Sequence, residues 1–95
     1  MHSAITNNTK RNRFETTVDG EFAYLDYELS PGVMALVHTF VPPAQRHQGI
    51  AFRIIHFAME YAKANNLKVI PACPSVELYL EQHPEYAELV AEKES

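Results

Sequence analysis

The sequence predicts a small α+β domain with α/β-like order: an antiparallel meander of strands, a crossover helix, a further strand parallel to the meander's last, and C-terminal helices. Three observations carry that expectation. Residues 13–41 alternate in apolar and polar character and are interrupted at Asp19-Gly20 and Ser30-Pro31-Gly32, which are turn signals. From residue 46 the apolar side chains recur at spacings of three and four, the period of a helix. A short apolar piece at 68–72 then follows that helix, and a strand reached through a helical crossover runs parallel to the one before it.

Each element has its own justification. Residues 1–12 are polar, with Asn7, Asn8, Lys10 and Arg11, and read as a flexible lead-in to a single domain over 13–95. Residues 13–18 form the first strand, and Asp19-Gly20 turns it into a second at 21–29. There Ala23, Leu25, Tyr27 and Leu29 share one face and Phe22, Tyr24, Asp26 and Glu28 the other. The third strand, 33–41, sets Val33, Ala35, Val37, Thr39 and Val41 opposite Met34, Leu36, His38 and Phe40. Both faces are largely apolar, so its expected position is central. Pro42 and Pro43 stop it. The helix is predicted over 46–64, burying Ile50, Ile54, Ala58 and Tyr61 beside Ala51, Ile55 and Ala62, with Arg53, His56, Glu60 and Lys63 on a solvated face. Asn65-Asn66 is a left-handed stop. After the strand at 68–72, Cys73-Pro74 opens a helix over 75–82, because proline suits a first helical position. His83-Pro84-Glu85-Tyr86 leads into a last amphipathic piece to about residue 91.

Composition narrows the function classes. Ninety-five residues, 46% hydrophobic, with five Tyr and five Phe, suit one domain with a buried core. A net charge of −4 argues against nucleic acid or an anionic membrane as partner. No apolar run reaches the roughly 20 residues a membrane helix needs, and residues 1–12 carry no apolar stretch of signal-peptide type. The single cysteine, Cys73, rules out an internal disulfide and a cysteine-cluster metal site; no His/Asp/Glu spacing makes a metal site either. The expectation is a soluble, cytoplasmic protein, monomeric or weakly dimeric, holding no metal.

The stretch from Val41 to Ala51 bears the chemistry. A strand gives way there to a helix through a short polar turn, Gln45-Arg46-His47-Gln48-Gly49. The unpaired N–H groups and positive dipole end of a helix start suit a phosphate, with Arg46 as counter-charge. Gly49 either leaves an amide open to such a ligand or permits close helix–strand packing. His47 is a solvated neighbour whose amide matters more than its ring. Cys73, ahead of Pro74, would stand at a helix N-terminus, where the dipole favours thiolate; its plain alternative is a small buried residue. His38 reads either as a general base, since histidine titrates near neutrality, or as a hydrogen-bonded core side chain.

Gln45-Arg46-His47-Gln48-Gly49-Ile50-Ala51 between a strand and a long helix resembles the acetyl-CoA-binding signature Gln/Arg-x-x-Gly-x-Gly/Ala of the GNAT acyltransferase superfamily, with Arg46, Gly49 and Ala51 in register. The chain is most similar to a short single-domain GNAT-like subgroup. His38-Thr39-Phe40-Val41-Pro42, Cys73-Pro74-Ser75-Val76 and His83 to Tyr86 match its His-Thr-x-Val-Pro, Cys-Pro-x-Val and His-Pro-Glu-Tyr segments in order, and the likeness spans about residues 13–90. It implies a minimal GNAT fold that binds acetyl-CoA as acyl donor. The pyrophosphate would rest on the amides of Arg46, His47, Gln48, Gly49, Ile50 and Ala51. The pantetheine arm would pair with the backbone of Thr39, Phe40 and Val41, in a slot where that strand splays from the next.

The resemblance implies an N-acetyltransferase acting on a primary amine, on a small molecule or a protein lysine. Cys73 is then the candidate catalytic residue, as proton donor to the coenzyme A thiolate or as a transiently acylated nucleophile, and His38 the second. Many family members protonate the thiolate with a tyrosine after the last signature strand; here Tyr79 lies six residues beyond Cys73. Longer relatives wall the acceptor site with an N-terminal strand-and-helices segment, for which residues 1–12 are too few, so an open groove or one completed by a partner is expected. Phe40 stands where the subgroup has an acidic or polar residue, and Glu28 on the neighbouring strand is the replacement acting through water. The alternative reading is a coenzyme A-binding sensor or interaction module without turnover, and a third is a plain α+β interaction domain with a structural turn.

Overall fold

The computed structural model describes residues 4–46 and 49–91. Five strands form one sheet in the order of the chain: β1 (Thr6–Asn8), β2 (Arg13–Val18), β3 (Glu21–Ser30), β4 (Val33–Phe40) and β5 (Lys68–Pro71). The first four pair antiparallel and β5 joins β4 in parallel. Between these last two runs α1 (Ile50–Ala64), and α2 (Pro74–Gln82) follows β5. A 3₁₀ turn, Pro43–Gln45, precedes α1, and a second, Pro84–Leu89, follows α2.

The meander, the crossover helix and the parallel fifth strand stand as the alternation and periodicity predict. The turns follow their chemistry too: Asp19 and Gly20 both have positive φ, 49° and 82°, the signature of a primed two-residue hairpin turn. Asn66, at φ 55°, ends α1, and the Asn65 side-chain amide donates to the Tyr61 carbonyl at 2.8 Å.

One face of the sheet carries the core. Phe14, Leu25, Met34 and Leu36 point onto Ile54, Ile55, Ala58 and Met59 of α1, all 0% exposed. Each such large side chain withdrawn from water contributes ~1.5–3 kcal/mol. Tyr24, Phe22 and Phe40 lie on the other face, with Phe22 60% exposed. There the Arg13 guanidinium sits 3.9 Å over the Tyr24 ring and its Nε donates to Asp26 at 2.8 Å.

Three expectations need correction. Residues 1–12 do not all form a flexible lead-in: β1 pairs with β2, the Asn8 amide donates to Glu15 at 3.0 Å, and the Tyr27 hydroxyl donates to Asn7 Oδ1 at 2.6 Å. The first helix begins at Ile50, not at Arg46, because Gly49 is left-handed at φ 74° and such a residue cannot propagate a right-handed helix. Third, β4 does not alternate throughout. Asp26 pairs with His38 and Tyr27 with Leu36, so Val37 is an extra residue, a β-bulge that reverses the order of faces beyond it. Met34 and Leu36 point into the core, whereas His38 and Phe40 emerge on the open face beside Tyr24, at ring separations of 6.1 and 5.4 Å. His38 is exposed and is therefore not a core histidine.

The face of α1 expected to be solvated is so, with Arg53, His56, Glu60 and Lys63 all exposed, and its His56 and Glu60 also join a polar network. The buried Tyr86 hydroxyl donates to Glu60 Oε2 at 2.5 Å. His56 Nδ1 lies 3.2 Å from the Tyr79 hydroxyl and 3.3 Å from that of Tyr86. The Tyr86 hydrogen bond, above the smaller effects of Lys63 and His56, holds the Glu60 carboxyl below its ordinary value. A carboxylate depressed by folding stabilises above its unfolded pKa and loses that contribution as pH falls through the folded one. Tyr86→Phe is therefore expected to lower the melting temperature by a few degrees at neutral pH. The gap should narrow as pH drops below about 4; thermal melts across that range check it, and a gap constant with pH would refute the assignment.

Candidate active site

The turn between β4 and α1 is built by glycine and proline. Buried Pro42 and the 3₁₀ turn Pro43–Gln45 end the strand, and the Arg46 Nε donates to the Val41 carbonyl at 3.0 Å, bracing the exposed guanidinium over the turn. A Cβ at Gly49 would meet nothing within 4 Å. Close packing therefore does not explain the glycine; its positive φ does.

Gly49 is the N-cap of α1, and among the described residues no side chain caps the helix. The first intrahelical bond there runs from the Arg53 N–H to the Gly49 carbonyl, 3.0 Å. The preceding first-turn amides are the groups a helix leaves without intrahelical partners. A cavity of about 350 Å³ opens over them, lined by Val41, Gln45, Arg46, Gly49, Ile50, Ala51 and Phe52. Its lining contains the described part of the predicted signature turn. His47 and Gln48, predicted with it, lie outside the described residues.

Beside this turn the sheet opens. The β4–β5 ladder runs from Val33↔Lys68 to Leu36↔Pro71 and is extended by the Ala72 N–H to the Leu36 carbonyl at 3.0 Å. Beyond the bulge, residues 37–40 of β4 continue without a ladder partner on β5. This leaves the backbone of Thr39 and Phe40, and Val41 after them, beside the start of the gap between parallel strands. The Thr39 hydroxyl spans that gap to reach the Cys73 sulfur, Oγ1 to Sγ 3.3 Å.

Cys73 is the N-cap of α2, with Pro74 at the first helical position, and is 7% exposed. Burial, the largest single influence, pushes its thiol up. The Thr39 hydroxyl and the backbone N–H groups of Ser75, Val76 and Thr39 outweigh it and leave the thiol below its ordinary value. Uncharged donors and a helix N-terminus around a sulfur favour its thiolate form.

The remaining predicted residues separate into two groups. His38 stands on the open face, away from the side of β4 that carries Thr39. Glu28 is exposed on β3, opposite Ala35. Tyr79 is 2% exposed and stacked on His83 at 3.9 Å, with its hydroxyl 3.2 Å from His56 Nδ1, and burial raises its pKa. The His83 ring N–H donates to the Tyr79 carbonyl at 2.8 Å, fixing that stack. A second, shallower cavity of about 450 Å³ adjoins the first through Gly49 and Phe52, with Arg53, His56 and His83 on its walls. The Thr39 side chain escaped the sequence reading, which used only its backbone; strict alternation hid it.

Residues 13–89 match the family model described as GCN5-related N-acetyl-transferase. Among solved structures, a GCN5-like protein from Staphylococcus aureus, determined by NMR in solution, superposes with a TM-score of 0.74 at 24% identity. The match covers 96% of this chain and 90% of that one; at such identity it speaks for the fold alone.

Proposed function

The chain belongs to the GCN5-related N-acetyltransferase family, a family of acyltransferases, and from that membership we propose that it uses acetyl-CoA to acetylate a primary amine. The observation that carries the reading is the cavity over the start of α1, lined by Arg46, Gly49 and Ala51, near the end of β4 that has no ladder partner on β5. The residues fit the donor: first-turn amides and Arg46 hold its pyrophosphate, and the backbone of Thr39, Phe40 and Val41 pairs with its amide-bearing arm. Acetyl-CoA supplies an activated thioester.

In this reading Cys73 is the nucleophile. Its thiolate bonds to the acetyl carbon as the bond to the coenzyme A sulfur breaks; coenzyme A leaves as a thiolate and takes a proton from water. The amine then attacks the Cys73 thioester, its proton passes to water, since His38 stands on the opposite face of β4, and the Cys73 thiolate is restored. The lowered thiol pKa favours this role over proton donation. A net charge of −4 and exposed Glu28 favour a cationic amine, and a lone reduced thiol suits a cytoplasmic setting.

Intact-protein mass spectrometry with acetyl-CoA tests both claims. Under native conditions one cofactor per chain is expected; after denaturation, one acetyl group that is absent from Cys73→Ser. Turnover without a covalent adduct would replace the acyl-cysteine by direct transfer. Binding without turnover on any amine would favour the sensor module. Arg46→Glu puts a carboxylate where the phosphates are to bind and removes the brace to Val41. It should weaken acetyl-CoA binding by at least about tenfold in calorimetry; an unchanged Kd would leave the turn a structural feature.

A further inference from the structure

We infer that Thr39 is a positioning residue, whose hydroxyl donates to the Cys73 sulfur across the gap between β4 and β5 and holds that sulfur as a thiolate. The inference rests on the reading of Cys73 as the reactive group and adds a side-chain role to a residue otherwise used through its backbone.

The bulge makes the contact. Under strict alternation from Met34, Thr39 would project from the open face, away from α1. The extra residue at Val37 restores the opposite order, so that Thr39 pairs with fully buried Leu25. Its hydroxyl then meets Cys73 Sγ at 3.3 Å. Because threonine is β-branched, few rotamers are open to it on a strand, and the hydroxyl is held at low entropic cost.

The sulfur needs such a donor. At 7% exposure it has lost most of its water, and burial alone would keep it a neutral thiol. Among the groups that oppose burial, the Thr39 hydroxyl ranks first, ahead of the amides of Ser75, Val76 and Thr39 itself. The charged and titratable groups on the surrounding elements are turned to other tasks. His38 faces Tyr24 on the far side of β4, Lys68 of β5 donates to the Glu88 carbonyl at 2.6 Å, and Glu77 is exposed in the first turn of α2. Thiolate formation here depends on neutral dipoles, and the hydroxyl is the one among them that a substitution can remove.

The chain has one cysteine, so ultraviolet absorbance of the thiolate and its alkylation rate both report Cys73 alone, with Cys73→Ser as the blank for tyrosine. Titrated without any cofactor, Thr39→Val should move the thiol midpoint up by about one pH unit and slow alkylation at neutral pH about tenfold. Thr39→Ser, which keeps the hydroxyl, should stay within a few tenths of a unit of the parent. If Thr39→Val does not fold, Thr39→Ala carries the same expectation. A hydroxyl-free variant that titrates like the parent overturns the inference, and so does a serine variant that shifts as far as valine. Because no acetyl-CoA is present, this result stands apart from the cofactor-binding test, and either claim can fail without the other.

Discussion

Replacing Cys73 with serine should lower kcat for acetyl transfer on the order of a thousandfold or more while leaving acetyl-CoA affinity nearly unchanged. The sulfur is 7% exposed at the N-cap of α2, facing the Thr39 hydroxyl. Serine fills nearly the same volume and keeps the donors around it. It fails as a nucleophile because a hydroxyl with no adjacent base stays protonated at neutral pH, whereas the thiol pKa is lowered. The cofactor contacts proposed at Arg46, Gly49 and Ala51 are untouched, so the loss should fall on kcat and spare the binding constant. Steady-state kinetics with any accepted amine, set beside calorimetry, separates the two. A variant retaining kcat within about tenfold would remove Cys73 from covalent chemistry.

Phe14→Ala should be the most damaging change in the core. The ring is 0% exposed and packs against Tyr27 at 4.9 Å, Tyr61 at 5.5 Å and Phe57 at 5.6 Å. It therefore ties β2 to β3 and to α1. Removing it forfeits the transfer energy of an aromatic ring and leaves a cavity whose rigid aromatic walls collapse poorly. The expected cost is ~3–5 kcal/mol, a large part of the ~5–15 kcal/mol that holds a domain folded. At ~4–8 °C per kcal/mol for a domain of this size, melting should fall by roughly 15–30 °C. Phe14→Leu keeps most of the volume and should cost far less. A loss below about 1 kcal/mol for the alanine variant would show that the ring does not hold these elements together.

Elements whose signal is local were legible. Asp19-Gly20 marks its hairpin because both residues tolerate positive φ, and the change of period from two to three and four marks α1. Cys73-Pro74 places the start of α2 because proline suits that position. The rest depended on partners distant in sequence. Thr6–Asn8 has no apolar alternation, and its strand exists because β2 offers an edge and because Glu15 and Tyr27 bond Asn8 and Asn7. The bulge at Val37 leaves no mark, since valine fits any strand. One residue of slippage moved His38 out of the core side and Thr39 into it. His56 and Glu60 are on the solvated face that the spacing predicts, but nothing local says that the hydroxyls of Tyr79 and Tyr86 reach them there. At the candidate site the end of the strand was legible, because Pro42 and Pro43 stop it locally, whereas the apolar spacing puts the start of α1 at Arg46, because nothing in it shows that Gly49 is left-handed.

The pairing at the two margins of the sheet bears on how copies of the chain coexist at high concentration. A bare strand margin is a template on which another chain can add. Here one margin is formed by the three polar residues of β1, too short to align an incoming strand. At the other, the last described residues lie against β5: Val90 bridges Val69 and the Ala91 N–H donates to the Val69 carbonyl at 2.8 Å. Pro71 has no N–H to offer there. Among the described residues, both margins of the sheet thus offer an incoming strand little free backbone on which to add.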